Sequence, residues 1–228
     1  MQKPISAQTL QRLPAYMNYL KSLSPDKTAK ISAKALGNAL GYGEIQVRKD
    51  LSAVSDGGKP KVGYCVVELI RDIERFLGYD DVNDAVLVGT GRLGKALLAY
   101  EGFKTYGLNI VAGFDSDPSK CGEDENGKVI LPLDKMENLC SRLKVKIGII
   151  TVPAGDAQLV CDTLVRGGVE AIWNFAPAHL SVPEGIFIKN ENMAVSLAVL
   201  SKHLSEKAKS DSSITNEIEF HLNEGDPK

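Results

Sequence analysis

The chain has 228 residues, 43% hydrophobic and 25% charged, with a net charge of −2, an ordinary globular composition with room for two modest domains. No apolar run approaches the roughly 20 residues that cross a bilayer, and MQKPISAQTL at the N-terminus lacks the apolar stretch of a secretion signal, so no membrane association and a cytoplasmic location are expected. Cys65, Cys121, Cys140 and Cys161 are scattered without a CxxC pair, and His179, His203 and His221 stand far apart; free thiols and no metal site are expected.

Charge is unevenly placed. The first 64 residues hold ten Lys and Arg against four acids, a net of +6, which leaves −8 for the rest. A basic block ahead of an acidic body suggests a polyanion-binding module joined to something else. Leu10, Leu13, Met17 and Leu20 recur at helical spacing behind Ser6 and predict a helix over 6–23, kinked at Pro14. A turn is expected at 24–27. Thr28 or Ser32 is placed to cap a second short helix over about 32–40, closed by Gly41. A third helix runs from Glu44 to about Val54, with Ile45, Val47, Leu51 and Val54 expected inside and Gln46, Arg48, Lys49 and Ser52 on the other faces. Two helices joined by a glycine turn have helix-turn-helix spacing. Gly57, Gly58, Pro60 and Gly63, interleaved with Lys59 and Lys61, predict a hairpin. Three helices and a basic hairpin make a winged helix. Residues 66–78 read as an amphipathic linking helix ended by Gly78.

The composition then changes. Short apolar runs at 85–89, 109–115, 146–152, 170–176 and 186–190 alternate with helical stretches, including one over 156–166, the pattern of a parallel α/β sheet. A last helix over 191–209 carries an apolar stripe at Met193, Leu197, Leu200 and Leu204, and the polar tail after Ser210 is expected to be weakly ordered.

Between the first of these strands and its helix stands Gly89-Thr90-Gly91-Arg92-Leu93-Gly94, a G-x-G-x-x-G string in the context that gives it meaning. Gly89 allows the tight turn, Gly91 lets the backbone approach a pyrophosphate, and Gly94 lets the helix pack against the strand. The N–H groups at the helix start hold the phosphates. Asp115 closes the second strand, 21 residues after Gly94. A carboxylate there accepts from an adenosine ribose hydroxyl and repels a 2′-phosphate, favouring NAD(H) over NADP(H). Arg92 either leans toward the pyrophosphate or is solvated.

These residues, with RLP at 12–14, QVRKDLS at 46–52, GY at 63–64, LVGTGRLGKAL at 87–97, FDSDP at 114–118, VPAGDAQLVCD at 152–162 and NFAP at 174–177, resemble the redox-sensing transcriptional repressors called Rex, over about residues 3–205. The resemblance implies a homodimer with an N-terminal winged helix, a Rossmann core and a C-terminal helix swapped into the partner. Such repressors bind operator DNA when NADH is low and release it when NADH rises. It implies Tyr100 at the dimer interface close to the nicotinamide. The chain departs from many members in its wing string, SDGGKPKVG at 55–63, and in Arg92, which replaces Asn. Where many members carry Arg and Asp able to pair across domains, this chain has Asn18 and Asn192. A charge-assisted pair there becomes at best a neutral hydrogen bond, about half as strong, and a switch with a different bias is expected.

The domains expected are 1–80, a winged-helix DNA-binding domain; 81–190, a Rossmann NAD(H)-binding domain; 191–209, a dimerisation helix; and 210–228, a polar tail. A winged helix sets its third helix in the major groove. Gln46, Arg48 and Lys49 are the candidates for base or phosphate contact, with Ser52 beside them. Arg12, Lys59 and Lys61 are candidates for phosphate contact. A twofold dimer reads an inverted repeat in double-stranded DNA. NAD⁺ and NADH differ only at the nicotinamide, so sensing occurs there, and Val152, Pro153 and Ala154 follow the strand whose end lies near it. The rival reading is an NAD-dependent oxidoreductase with a fused DNA-binding module. About 110 residues after Asp115 leave little room for a substrate domain, and no acid–base pair is evident, so no enzyme activity is expected. A coenzyme A-binding Rossmann module is a second rival, which Asp115 and the basic N-terminal block argue against.

Overall fold

The computed structural model describes residues 5–23 and 30–207; the turn expected at 24–27, the end of the last helix and the tail after Ser210 lie outside them. The chain forms two compact units, one from the described residues of Met1–Asn83 with Glu101–Asn109, the other from those of Asp84–Tyr100 with Ile110–Lys228. The segment 101–109 thus belongs with the N-terminal unit, where the sequence pattern did not place it.

The first unit runs α1 (Ala7–Ser22), β1 (Lys30–Ile31), α2 (Ala33–Leu40), α3 (Glu44–Val54), β2 (Tyr64–Cys65) and α4 (Val66–Leu77). Ser6 and Ser32 cap α1 and α2 by accepting from the N–H groups of Thr9 and Ala35, which satisfies donors the helices cannot. Pro14 lies within α1 without ending it; packing of Leu13, Met17 and Leu20 in the core outweighs the one lost hydrogen bond. Gly41 ends α2 at φ +74°, a left-handed conformation that costs glycine nothing, and the chain turns directly into α3. β1 and β2 pair antiparallel with Ile31 opposite Tyr64. Lys59 bridges Gly63 to form a small hairpin ahead of β2. Helix-turn-helix plus hairpin is the winged-helix arrangement.

The core of this unit gathers Leu13, Tyr16, Met17, Leu20, Leu36, Val47, Leu51, Leu69 and Ile73, all fully or almost fully buried. One expectation fails here: Ile45 is 69% exposed. The buried positions of α3 are Val47, Asp50 and Leu51. At about 100° per residue, Ile45 lies about 200° around the helix from Val47 and so faces away from the core.

The place on the inner stripe falls to Asp50, 4% exposed. Its carboxylate accepts from Arg12 Nε at 2.8 Å and Nη2 at 2.9 Å, from the Tyr16 hydroxyl at 2.8 Å and from the Thr9 hydroxyl at 3.0 Å. Burial works to raise the Asp50 pKa, but these hydrogen bonds outweigh it and hold the carboxyl below the ordinary carboxylate range. The same pairing raises the Arg12 pKa. Tyr16 is raised by burial and by the hydrogen bond to Asp50. Three side chains of α1 therefore clamp one carboxylate of α3. The returning segment 101–109 packs Tyr106 edge-on to Tyr79, ring centres 5.4 Å apart, and its hydroxyl meets Asn18 Oδ1 at 3.5 Å.

The second unit comprises β3 (Asn83–Val88), α5 (Arg92–Leu98), β4 (Leu108–Asp115), β5 (Gly122–Glu123), β6 (Val129–Pro132), α6 (Met136–Leu143), β7 (Ile147–Ile150), α7 (Ala154–Arg166), β8 (Ala171–Asn174) and β9 (Phe187–Asn190), with a helix, α8, over 193–207. Its sheet has the order β5-β6-β4-β3-β7-β8-β9. The pairs β4–β6, β3–β7, β7–β8 and β8–β9 are parallel, and β5 joins the edge antiparallel. The chain winds outward from β3 to one edge through β4 and β6, and to the other through β7, β8 and β9. This is a doubly wound Rossmann-type sheet, and its switch point at β3 marks the crevice where such folds take ligands. Residues 85–88 of β3 are completely buried, as a strand covered on both faces requires. β5, β6 and α6 were not legible in the sequence, being short and partly exposed.

Replacing Asp50 with Ala leaves Arg12 and Tyr16 without their acceptor and is expected to cost about 3–5 kcal/mol of unfolding free energy at pH 7, measured by urea denaturation. Because the folded Asp50 pKa is depressed, its contribution is complete above the ordinary carboxylate value of 3.8 and is lost as pH falls through the lower folded value. The difference between wild type and variant therefore shrinks in acid.

Candidate nucleotide and nucleic-acid sites

The nucleotide loop is built on a backbone-to-backbone contact. A Cβ added at Gly94 would lie 1.9 Å from the Gly89 carbonyl oxygen and 2.9 Å from Thr151 Oγ1, so no side chain fits. Gly89 has φ +95°, and a Cβ there would lie 2.8 Å from Val152 Cγ1. A Cβ at Gly91, by contrast, would meet nothing within 4 Å. The three glycines divide the work: two close the turn and one keeps the loop surface bare. Gly91 precedes the first turn of α5, where helix N–H groups have no intrahelical acceptor and the dipole favours an anion. A tight turn, a bare surface and a helix start together fit the pyrophosphate of a dinucleotide.

Thr90 is 1% exposed and Asp115 6% exposed. The Thr90 N–H and hydroxyl both donate to Asp115 Oδ2 at 2.8 Å. Asp117 N–H donates to Asp115 Oδ1 at 3.0 Å, and Lys120 Nζ lies 3.1 and 3.2 Å from the two oxygens. Burial pushes the Asp115 pKa up, but the hydrogen bonds from Asp117, Thr90 and Lys120 prevail and lower it, so the group is ionised at neutral pH. The carboxylate is thus tied to the glycine loop at Thr90, with Lys120 as counter-ion. Asp117, two residues on, keeps its carboxylate at the surface, where Oδ1 accepts from Ser119 N–H and Oγ.

The other expected residues fall as follows. Arg92 and Leu93 are exposed in the first turn of α5. Val152 packs on the loop at Gly89, while Pro153 and Ala154 are exposed where α7 begins. Tyr100 is 55% exposed at the end of α5. Sequence reasoning missed Thr151, whose hydroxyl donates to the carbonyls of Val88 and Gly89 at 3.0 and 2.7 Å and so fixes the turn. It also missed Asn174, completely buried, which binds Ala176, Ala178 and Asn190 and holds the loop after β8. A threonine or asparagine at a strand end carries no distinctive signal; the NFAP string was its only trace.

In the first unit, α3 turns outward a stripe of Ile45, Gln46, Lys49, Ser52 and Ala53, all exposed. Arg48 is exposed beside it and pairs with Glu44. The hairpin carries Lys59 and Lys61, both exposed, with Lys61 at φ +63° at the tip. These cations share one groove with Lys34 and Arg48. Arg12 does not join them: its side chain is 15% exposed and engaged on Asp50. The expectation of a phosphate contact from Arg12 is corrected, since a guanidinium held by two charge-assisted bonds is occupied inside the fold.

Among the described residues no group of His, Cys, Asp and Glu is arranged to hold a metal ion, and no helix is long and apolar enough to cross a membrane. Cys140 and Cys161 are buried; burial pushes the Cys140 thiol up to about 11 and raises Cys161, which keeps both protonated and unreactive.

A family model for a coenzyme A-binding domain matches residues 80–178, and one for the N-terminus of putative DNA-binding proteins matches residues 4–52. The redox-sensing transcriptional repressor Rex of Clostridium beijerinckii is 41% identical over 204 residues, covering 90% of this chain and 97% of its own. The chain belongs to the Rex family. Two solved structures of RSP, a Rex-family repressor, agree over the whole fold. The complex with β-NAD⁺ and operator DNA has a TM-score of 0.85 at 31% identity and covers 93% of this chain and 98% of its own. The complex with β-NADH has a TM-score of 0.81 at 31% identity over 92% and 99%. The Rex relationship covers both units, whereas each family model covers less than half of the chain.

The glycine geometry predicts a contrast. Gly94→Ala is expected to displace the loop and abolish NADH binding. Gly91→Ala should melt at the wild-type temperature, because its Cβ meets no protein atom, yet bind NADH at least about tenfold more weakly (~1.4 kcal/mol). Calorimetric titration and thermal melting check both.

Proposed function

We propose that this chain is a cytoplasmic, NADH-responsive transcriptional repressor that binds an inverted repeat in double-stranded operator DNA as a homodimer. The observation that carries this reading is the union, in one chain, of a winged helix with an exposed polar and basic α3 stripe and a Rossmann loop whose bare Gly91 faces open space. Relatives of the same two-unit build have been captured with β-NAD⁺ and operator DNA and with β-NADH. The dinucleotide is a signal and not a reagent, and the chain is not an enzyme.

Each residue has a stated part. The loop Gly89–Gly94 receives the pyrophosphate over Gly91, Arg92 and Leu93, while Gly89 and Gly94 close the turn beneath it; Thr90, expected from the sequence to touch the cofactor, instead spends both its donors on Asp115. Asp115 locks Thr90 and, with Lys120 as its counter-ion, fixes the loop at the adenosine end. Val152, Pro153 and Ala154, at the start of α7, lie on the nicotinamide side, with Tyr100. NAD⁺ and NADH share every part except the nicotinamide ring, so the differential binding that shifts the protein between states arises there. Gln46, Arg48, Lys49 and Ser52 face the major groove, and Lys59 and Lys61 reach phosphates. The segment 101–109 offers a covalent route between the functions: α5 starts at the phosphate loop and leads into residues that pack with the DNA-binding unit.

Dimerisation is assigned to α8. Met193, Val195, Leu197, Val199, Leu200 and Leu204 are each 59–69% exposed, an apolar surface that a monomer in water does not keep bare. We assign the domains as a winged helix to residue 80, onto which the segment 101–109 packs, a Rossmann domain over the rest of 81–190, and α8 as the dimerisation helix. Asn192 Oδ1 accepts from Ala194 N–H at 3.0 Å and caps α8. Leu200→Glu is expected to shift the protein from dimer to monomer in sedimentation velocity, with loss of binding to a palindromic site.

The deciding experiment is a gel-shift titration of an inverted-repeat duplex. Retardation that NADH reverses, and that NAD⁺ and coenzyme A do not, is expected. Retardation indifferent to all three nucleotides would sink the sensor reading; reversal by coenzyme A alone would move the chain to the rival Rossmann class.

A further inference from the structure

We infer that Ile45 reads a thymine methyl group in each operator half-site. The inference rests on the reading that α3 enters the major groove, and it assigns to that helix a contact its polar residues do not provide. Ile45 is the second residue of α3 and 69% exposed, while Val47 and Leu51 of the same helix are completely buried. Its exposure is not a matter of a frayed end, because Gly43 accepts the first helical bond from Val47 N–H at 3.0 Å. The backbone of this turn is in place, and the side chain is presented to solvent.

Its neighbours on the outer stripe decide what it meets. Ile45 shares the stripe with Lys49 and Ser52, four and seven residues on, and with Gln46 and Ala53 alongside, the spacing of one helix face. Any surface engaged by Gln46 and Lys49 is engaged by Ile45. It also lines a groove of about 660 Å³ with Ile5, Thr9, Arg12, Gln46, Lys49 and Ala53. The first residues of a recognition helix are those that reach base edges. On those edges, the apolar group that the major groove offers is the C5-methyl of thymine. Gln46 beside it has the donor and acceptor to take an adenine edge, so the two residues together select an A·T-rich step beneath the first turn of α3. Burying a methyl group against an aliphatic side chain strengthens binding about fourfold.

The test replaces thymines by deoxyuridine, which deletes that methyl and nothing else. The full-length protein first selects an inverted-repeat duplex from a randomised pool without NADH. Each symmetry-related thymine pair is then changed to deoxyuridine, and affinities are measured by fluorescence anisotropy for wild type, Ile45→Val and Ile45→Ala. At one pair, wild type should lose about fourfold per half-site. Ile45→Ala should bind the thymine operator more weakly by a similar factor and be indifferent to deoxyuridine at that pair, with Ile45→Val between them. All three should melt alike, since the side chain is outside the core. The inference is overturned if Ile45→Ala binds with wild-type affinity, or if it is weaker yet keeps the wild-type sensitivity at every thymine, as it would if Ile45 served another part of the protein. Selection of no inverted repeat by wild type would overturn the α3 reading itself and this inference with it, an outcome separate from either.

Discussion

The second unit turns on the approach of Gly94 to the Gly89 carbonyl, a contact so close that a single added carbon would sit 1.9 Å from the oxygen. With it, α5 starts immediately beside the end of β3, and the phosphate-binding surface and the helix N-terminus become one feature. Everything else at the site supports that approach. Thr151 ties down the Gly89 carbonyl from the neighbouring strand. Asp115, buried and ionised, holds Thr90 from the other side. Lys120 offsets the charge that burial would otherwise penalise. An alanine at position 115 would leave the Thr90 donors without their acceptor, and the loop would lose its fixed shape before any ribose contact was at issue.

The DNA-binding unit solves a similar problem with the same chemistry. Its exposed helix must be rigid enough to present a stripe of side chains, yet most of the length of α3 contacts water. Rigidity comes from Asp50, which faces inward and receives Thr9, Arg12 and Tyr16 of α1. One carboxylate fixes the rotation of α3 about its axis. That rotation decides which residues face outward: Ile45, Gln46, Lys49, Ser52 and Ala53 do so because Val47, Asp50 and Leu51 do not. In each unit a buried aspartate, dense in hydrogen bonds, holds the backbone that carries the function.

Much was legible in the chain. The caps at Ser6 and Ser32, the glycine ends at Gly41 and Gly78, and the period of the apolar residues placed α1 to α4 within a residue or two, because caps and periodicity are local chemistry. The glycine loop was legible for the same reason. Signals weakened where elements are short and half-exposed, as in β5, β6 and α6, whose pairing comes from neighbours distant in sequence. The segment 101–109 could not be assigned to the first unit, since nothing in EGFKTYGLN names Tyr79 or Asn18 as its partner.

By itself, then, the sequence determined α1 to α4, the alternation of strands and helices behind them, the phosphate loop and the family strings, all of which rest on residues adjacent in the chain. Only the tertiary structure decided the roles of individual charges and apolar side chains. Arg12 is a clamp and not a phosphate ligand because Asp50, 38 residues away, meets it. Asp115 is a lock on Thr90 because 25 residues of chain bring the two together. Ile45 is outside because Val47, Asp50 and Leu51 of the same helix are inside. The direction of a side chain is set by what packs around its helix or strand, and that information is spread over the whole fold.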